Sequence, residues 1–100
     1  MILEVAILNV KAGRTTQFEA DFKLASQYIS AIDGYIDHSL QKCIENAHQY
    51  ILLVHWETLE SHTIGFRKSE EYLEWKRLLH DYYEPFPMVE HYEMVFQNKK

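Results

Sequence analysis

The stretch from residue 50 to residue 75 constrains the fold of this chain more than any other, and it reads YILLVHWETLESHTIGFRKSEEYLEW. Apart from His55, its first seven residues are apolar, aromatic or β-branched, which is typical of a buried strand. A polar break at residues 57–61 follows, and apolar side chains then recur at helical spacing. We therefore predict a buried strand that leads directly into a helix, with the rest of the chain completing a sheet.

The first third of the chain predicts one strand, residues 2–10, and one helix. Both faces of that strand are largely apolar, so we expect both to be covered. Thr16 and Glu19 match a capping box at the start of a helix, and Gly34 suits the left-handed position beyond its end. The helix then carries one apolar stripe, Phe18, Phe22, Ala25, Ile29 and Ile32.

Residues 35–44 and 48–57 predict an antiparallel hairpin, because both segments alternate and only a short turn links them. One face of the first hairpin strand consists of Ile36, His38, Leu40 and Ile44. In the second strand, Ile51, Leu53 and His55 lie opposite the face that carries Tyr50, Leu52, Val54 and Trp56.

The last part of the chain predicts a second helix and a closing strand. A short helical turn covers residues 58–64, and Gly65 interrupts it. Ser69 then caps a longer helix, whose apolar stripe is Tyr72, Trp75, Leu79 and Tyr82. Pro85 prevents the helix from continuing, and residues 88–96 form the fourth strand.

This order of elements, β-α-β-β-α-β, predicts a ferredoxin-like α+β fold in a single domain over residues 1–100. An antiparallel four-stranded sheet carries both helices on one face. The other face would expose apolar side chains in a monomer, a patch that soluble monomers rarely tolerate. We therefore expect a homodimer in which two sheets pack face to face.

Composition limits the possible partners and the compartment. The net charge is −5 and no basic run precedes Lys99 and Lys100, so neither nucleic acid nor an anionic membrane is an expected partner. No apolar stretch reaches the roughly 18 residues of a membrane-spanning helix, and the N-terminus has no basic segment typical of a signal peptide. Cys43 is the only cysteine, which suits a reducing cytoplasm. Neither H-E-x-x-H nor C-x-x-C spacing occurs, so no metal site is expected.

Of the six histidines, His38, His55 and His91 fall inside predicted strands, whereas His48 is the first residue of one. An imidazole in a pocket between sheet and helices could take the proton of a phenolic substrate. His38, His55 and His91 are therefore our candidates for a catalytic base. The alternative is that each one is a hydrogen-bonded structural or interface histidine.

Asn9 and a set of aromatic residues complete the candidate site. A buried amide without a partner costs about 1–3 kcal/mol, so Asn9 bonds either to a substrate oxygen or to a loop backbone group. An apolar cavity for a small aromatic ligand could be lined by Trp56, Phe66, Tyr72, Trp75 and Tyr82. Aromatic residues at helical spacing also form ordinary cores, and both interpretations stay open.

Short motifs in a fixed order connect the chain with a known family. They are the Gly turn after the first strand, Trp56-Glu-Thr, Glu60-Ser-His, Phe66-Arg-x-Ser69, Tyr72-x-x-Trp75 and the tail YEPFPMVEHY of residues 83–92. In this order, over nearly the whole chain, they resemble the antibiotic biosynthesis monooxygenase superfamily of dimeric α+β barrels.

The resemblance implies a function. Members of the superfamily are homodimers, and those that are enzymes oxidise polycyclic aromatic substrates or quinols with dioxygen, without metal, flavin or other prosthetic group. We therefore expect a cofactor-independent monooxygenase that acts on a small aromatic, phenol or quinol. A second branch degrades haem, so one alternative is a haem-binding or haem-degrading dimer with His62 or His80 as the ligand. The other is a non-catalytic dimeric protein that binds a small molecule.

Overall fold

The elements of the structure follow the predicted order. A computed structural model describes the whole chain, residues 1–100. Its elements are β1 (Ile2–Asn9), α1 (Thr15–Ile29), β2 (Tyr35–Lys42), β3 (Gln49–Trp56), a π-helical turn (Ser61–Phe66), α2 (Glu70–Leu79), a 3₁₀ turn (His80–Tyr82) and β4 (Val89–Tyr92). All four strands form one antiparallel sheet in the order β2-β3-β1-β4. The predicted ferredoxin-like α+β fold is confirmed.

The central strands β1 and β3 alternate strictly between the two faces of the sheet. Glu4 pairs with Val54 and Ala6 pairs with Leu52, and all four side chains are buried beneath the helices. The opposite face has no helix over it, and its side chains are only partly covered. We call this surface the open face; its apolar residues are Leu3, Val5, Ile7, Ile51 and Leu53.

The hydrophobic core lies between the sheet and the two helices and contains 15 buried side chains. Phe18 on α1 occupies its centre, where its ring centroid lies 5.0 Å from that of Tyr50 and 5.5 Å from that of Tyr82. Trp56 at the end of β3 is fully buried. The first four residues of the predicted α1 stripe are buried, and Ile32 packs against the core from the turn after the helix.

The predicted capping box at the start of α1 is wrong. The helix begins at Thr15, and its cap residue Arg14 makes no side-chain hydrogen bond. Glu19 does not return to the helix start, because its carboxylate accepts a hydrogen bond of 2.6 Å from the hydroxyl of Tyr50. The helix also ends at Ile29, earlier than predicted, although Gly34 does have a left-handed backbone with φ +90°.

A bulge in β2 changes which residues share a face. The register shifts between Tyr35 and Asp37, so Tyr35 packs against the core together with Leu40. The prediction that Ile36 shares this face is wrong, since Ile36 is 42% exposed. Ile44 lies beyond the end of the strand and is 94% exposed.

The segment between β3 and α2 contains a π-helical turn. Its i to i+5 bonding is seen where the Arg67 N–H donates to the carbonyl of His62. The predicted interruption at Gly65 is wrong, because the turn runs through Gly65 to Phe66. The predicted cap of α2 is confirmed, since Ser69 Oγ accepts a hydrogen bond of 3.1 Å from the Tyr72 N–H.

The last strand is shorter than predicted. β4 covers Val89–Tyr92 and pairs with β1 only from Ala6 to Leu3. Beyond Leu3 in this direction β1 supplies one more strand residue, so little of the ladder remains for residues 93–96. No helix of the structure combines the length and the apolarity that a membrane crossing requires.

Candidate active site

A cavity of about 350 Å³ lies between the sheet and the segment that contains the π-helical turn, α2 and the loop after it. On the sheet side it is lined by Glu4, Ala6, Leu8, Leu52 and Val89. From the helices and the loop it is lined by His62, Phe66, Arg67, Tyr72, Trp75, His80, Tyr83, Phe86 and Pro87. Ala6 lies in the middle of the sheet side, and its small side chain leaves room for a ligand there.

The cavity runs along β1 and differs in character at its two ends. Glu4 and Leu8 both line it, and four strand residues span about 13 Å. Tyr83 lies near the Leu8 end, since it forms a β-bridge with Val10. One end is therefore acidic and the other phenolic.

Glu4 is a buried carboxyl group with one free oxygen. The side chain is 6% exposed, and its Oε1 accepts a hydrogen bond of 2.9 Å from the Trp56 indole N–H. His62 Nε2 also lies 3.3 Å from the same Oε1. The other oxygen, Oε2, forms no hydrogen bond. Because no fully buried polar side-chain atom in the structure lacks a partner, Oε2 is not fully buried, and it faces the cavity that Glu4 lines.

Burial shifts the proton affinity of both members of this pair. It raises the pKa of Glu4 to about 6, partly offset by the Trp56 hydrogen bond and by the positive charge of Arg67. It lowers the pKa of His62 to about 3, and Arg67 and His91 lower it further. Near neutral pH His62 is therefore neutral, and Glu4 titrates in the range in which general bases work well.

His91 adds a third polar group to the pair of Glu4 and His62, and it lies outside the cavity. Its Nε2 lies 2.7 Å from His62 Nδ1. Burial lowers the pKa of His91, and the positive charge of Arg67 lowers it further. Arg67 itself lines the cavity, and no carboxylate lies within ion-pair distance of it. Its guanidinium is thus available to an anionic group of a ligand.

The aromatic end of the cavity carries polar groups that have no partner in the chain. Tyr72 and Tyr83 line the cavity, and neither hydroxyl forms a hydrogen bond within the chain. Burial raises the pKa of Tyr83. His80 also lines the cavity, and burial lowers its pKa. Its ring centroid lies 4.9 Å from that of Phe86 in an edge-to-face arrangement. A planar ligand with oxygen substituents would satisfy both the apolar and the polar surface.

The structure does not bring His38, His55 and His91 together. His38 accepts a hydrogen bond from the Tyr35 hydroxyl at Nδ1 and donates to Ser26 Oγ at Nε2, because Ser26 uses its own proton on a backbone carbonyl. His55 lies on the face of the sheet away from the helices, with its Nδ1 2.7 Å from Asp37 Oδ1. Of the three, only His91 adjoins the polar end of the cavity, and it does so through His62.

The other predicted site residues divide between the cavity and its surroundings. Phe66, Tyr72 and Trp75 line the cavity. Trp56 lies behind Glu4, and Tyr82 is buried with its hydroxyl donating to Asp21 Oδ2 at 2.6 Å. Asn9 lies at the far end of β1 and lines a separate shallow depression beside Lys11 and His48.

Sequence reasoning did not select Glu4, Arg67 or Tyr83 for the site, and it named His62 only as a haem ligand. A signal for Glu4 was present, since it is the one acidic residue on an otherwise apolar strand face. The signal for His62 was weaker, because a π-helical turn has no clear sequence pattern. No group of three or more His, Cys, Asp or Glu side chains is arranged to hold a metal ion.

The fold and the cavity together define a small ferredoxin-like α+β protein with an internal cavity lined largely by aromatic and apolar side chains. The chain belongs to the antibiotic biosynthesis monooxygenase family, whose model matches residues 1–78. This membership supports a general monooxygenase-like role.

Individual proteins show the same relationship. The uncharacterized protein YczJ of Bacillus subtilis strain 168 is 56% identical over 95 residues, which cover 95% of this chain and 100% of that protein. A Bordetella bronchiseptica protein named for the antibiotic biosynthesis monooxygenases has a structure with a TM-score of 0.90 at 33% identity, covering 95% of this chain and 97% of that one. SnoaB, a cofactor-independent oxygenase from Streptomyces nogalater, has the same fold with a TM-score of 0.69 at 17% identity, covering 98% of this chain and 94% of its own.

Proposed function

We propose that this protein is a cofactor-independent monooxygenase that oxidises a small phenol or quinol with dioxygen. The observation that carries the proposal is the free Oε2 of Glu4, a buried carboxyl whose pKa is raised to about 6, at one end of a largely apolar cavity. Family membership supports the same class of reaction. The existence of a cofactor-independent oxygenase, SnoaB, with this fold is consistent with it.

The reaction we propose begins with proton transfer. Glu4 Oε2 accepts the phenolic proton, and the guanidinium of Arg67 stabilises the resulting anion. The anion transfers one electron to dioxygen, and the two radicals combine into a peroxide at a ring carbon. Glu4 returns its proton to the peroxide, which becomes a hydroperoxide. The hydroperoxide then loses water, made of its outer OH group and the hydrogen of the same ring carbon, and a quinone carbonyl remains. Substrate supplies all the electrons, so no external reductant is needed.

The test is oxygen uptake by metal-free protein with a panel of phenols and quinols. We expect uptake with at least one compound, and we expect Glu4→Gln to lower the rate by about 10²-fold or more, as removal of a general base does. Gln retains the shape of Glu and its acceptor oxygen for Trp56. Uptake by Glu4→Gln at the wild-type rate would exclude Glu4 as the base.

Three further variants test the candidates named from the sequence. His38→Ala, His55→Ala and Asn9→Ala change residues that lie outside the cavity. We therefore expect each variant that folds to keep its uptake within about twofold of the wild type. A tenfold loss in one of them would move the catalytic role to that residue. Binding of a quinol without any uptake would instead indicate a non-catalytic binding protein.

We also propose that the protein works as a homodimer through its open face. The helices leave this face uncovered, and Ile7 there is 40% exposed. The cavity lies on the opposite side of the sheet, so dimerisation through the open face leaves the mouth of the cavity unobstructed.

Haem binding is a second candidate, and one observation favours it. His80 lines the cavity and has no hydrogen bond in the chain, whereas both ring nitrogens of His62 already have partners. His80 is therefore the better ligand of the two. A Soret band that appears on hemin titration and is lost in His80→Ala would support this function, and no band with the wild type would exclude it.

A further inference from the structure

Residues 85–88 form a strap beside the cavity that is attached to the sheet only at its two ends. At one end the Glu84 N–H donates to the carbonyl of Asn9 at 2.8 Å, and at the other end Val89 pairs with Ala6. Between these ends no backbone hydrogen bond joins the strap to the rest of the chain. A segment with so few backbone hydrogen bonds moves at a lower free-energy cost than the sheet beside it.

Phe86 is the side chain of the strap that separates the cavity from solvent. It lines the cavity but is 62% exposed, so one part of its ring faces the interior and another part faces water. Its ring centroid lies 4.9 Å from that of His80 and 6.2 Å from that of Tyr83. A single edge-to-face contact is weak, so His80 holds the Phe86 ring without fixing it.

The proposed reaction requires a closed cavity for a chemical reason. Electron transfer from the phenolate to dioxygen gives a phenoxyl radical and superoxide, and these two form a C–O bond only while they stay together. Superoxide is an anion, which water solvates far better than an apolar cavity does. Superoxide that escapes reacts with a second superoxide and two protons to give dioxygen and hydrogen peroxide. Escape therefore separates oxygen uptake from oxidation of the ring carbon.

We propose that Phe86 is the gate of the cavity, which moves away from His80 to admit a ligand and returns to enclose it. This rests on the proposed function for the identity of the reactants. In the closed position Phe86 excludes water and keeps the phenoxyl radical and superoxide in contact until the bond between them forms. No proton or electron passes through Phe86.

Quenching of tryptophan fluorescence by acrylamide tests the gate without turnover. Trp75 lines the cavity and is 6% exposed, whereas Trp56, the only other tryptophan, is fully buried and does not line it. Acrylamide that enters the cavity therefore quenches Trp75. We expect Phe86→Ala to raise the quenching constant about twofold or more, because the mouth of the cavity is then open. Equal quenching of the wild type and Phe86→Ala would overturn the gate.

Two further variants separate the gate from a general loosening of the strap. Met88→Ala is the matched control, because Met88 lies on the same strap and is 77% exposed but does not line the cavity. Its quenching should equal that of the wild type. His80→Ala removes the contact that holds Phe86, so it should also raise quenching. Combining it with Phe86→Ala should add little, since both changes release the same side chain.

Release of superoxide tests the role of the gate in the reaction. With a phenol as substrate, we expect Phe86→Ala to reduce cytochrome c about tenfold or more faster, per dioxygen consumed, than the wild type does. Superoxide dismutase should abolish this reduction, and Phe86→Leu, which keeps apolar bulk at the mouth, should show less of it.

The two measurements distinguish failure of the gate from failure of the proposed function. Raised quenching in Phe86→Ala without superoxide release would overturn the enclosure of the radicals and leave the proposed function in place. If the wild type oxidises no phenol or quinol, the proposed function fails, and the quenching result alone decides whether Phe86 is a gate.

Discussion

At the scale of single residues, Glu4 makes the stability of the fold depend on pH. Its folded-state pKa is raised from 4.5 to about 6, so the folded protein binds this proton more tightly than the unfolded chain does. The corresponding stabilisation is fully present below about pH 4.5 and is lost as pH rises through about 6. We expect a loss on the order of 2 kcal/mol, which Glu4→Gln does not show.

Urea unfolding of both proteins between about pH 4 and about pH 8 measures this effect. His62 opposes Glu4, because its lowered pKa destabilises the fold as pH falls below 6.5, but it is present in both proteins and largely cancels in their difference. A difference in unfolding free energy that does not change with pH would show that the pKa of Glu4 is not raised.

The residues of the site were only partly predictable. Tyr72 and Trp75 were identifiable because aromatic residues at helical spacing mark the buried face of a helix. Phe66 was named only as a large aromatic residue, since it lies outside both predicted helices. The partnership of Glu4 with His62 was not identifiable, because it joins a strand to a π-helical turn distant in sequence. Such a contact depends on tertiary packing and leaves no local pattern.

At the scale of elements, the turn from α1 to β2 fits closely against the start of the π-helical turn. Gly34 has φ +90°, and an added Cβ would collide with the side chain of Ser61. We expect Gly34→Ala to lower the unfolding free energy by about 2–5 kcal/mol, since a left-handed alanine costs about 1–2 and overpacking a further 1–3. Thermal and urea unfolding measure this loss.

Gly13→Ala is the matched control for this prediction. Gly13 also has a positive φ, +79°, but an added Cβ there would meet nothing within 4 Å. Only the backbone cost of about 1–2 kcal/mol applies. Adding Ser61→Gly to Gly34→Ala should recover part of the steric loss, and equal effects of the two alanine variants would show that contact with Ser61 is unimportant.

The elements themselves were largely predictable, and the errors have identifiable causes. The α2 cap at Ser69 was correct because the interaction is local. The capping box of α1 failed because Tyr50, from a different strand, binds the Glu19 carboxylate instead. β4 was overestimated because β-propensity extends to residue 96, whereas strand pairing ends where the partner strand does.

At the scale of the whole molecule, the open face predicts self-association. A stable interface buries about 1,600 Å² in total, and the apolar side chains of two facing sheets are suited to form it. We expect a dimer at micromolar concentration by sedimentation velocity. Leu53→Lys, at the centre of the open face, should give a monomer, because it would bury a charge without a partner.

Leu24→Lys controls for the general effect of added charge. Leu24 lies on α1, on the side of the molecule away from the open face, and is 56% exposed. This variant should remain dimeric. A wild-type protein that sediments as a monomer would contradict the proposed dimer.

The strict alternation of β1 has a consequence for how this protein can be altered. Even-numbered positions such as Glu4 and Ala6 determine the chemistry and volume of the cavity, whereas odd-numbered positions such as Val5 and Ile7 form the open face. Neighbouring residues thus serve separate purposes, and a change at one need not disturb the other. For the proposed ligand and the proposed dimer, ligand preference and subunit assembly can therefore be altered independently, although both depend on the same eight-residue strand.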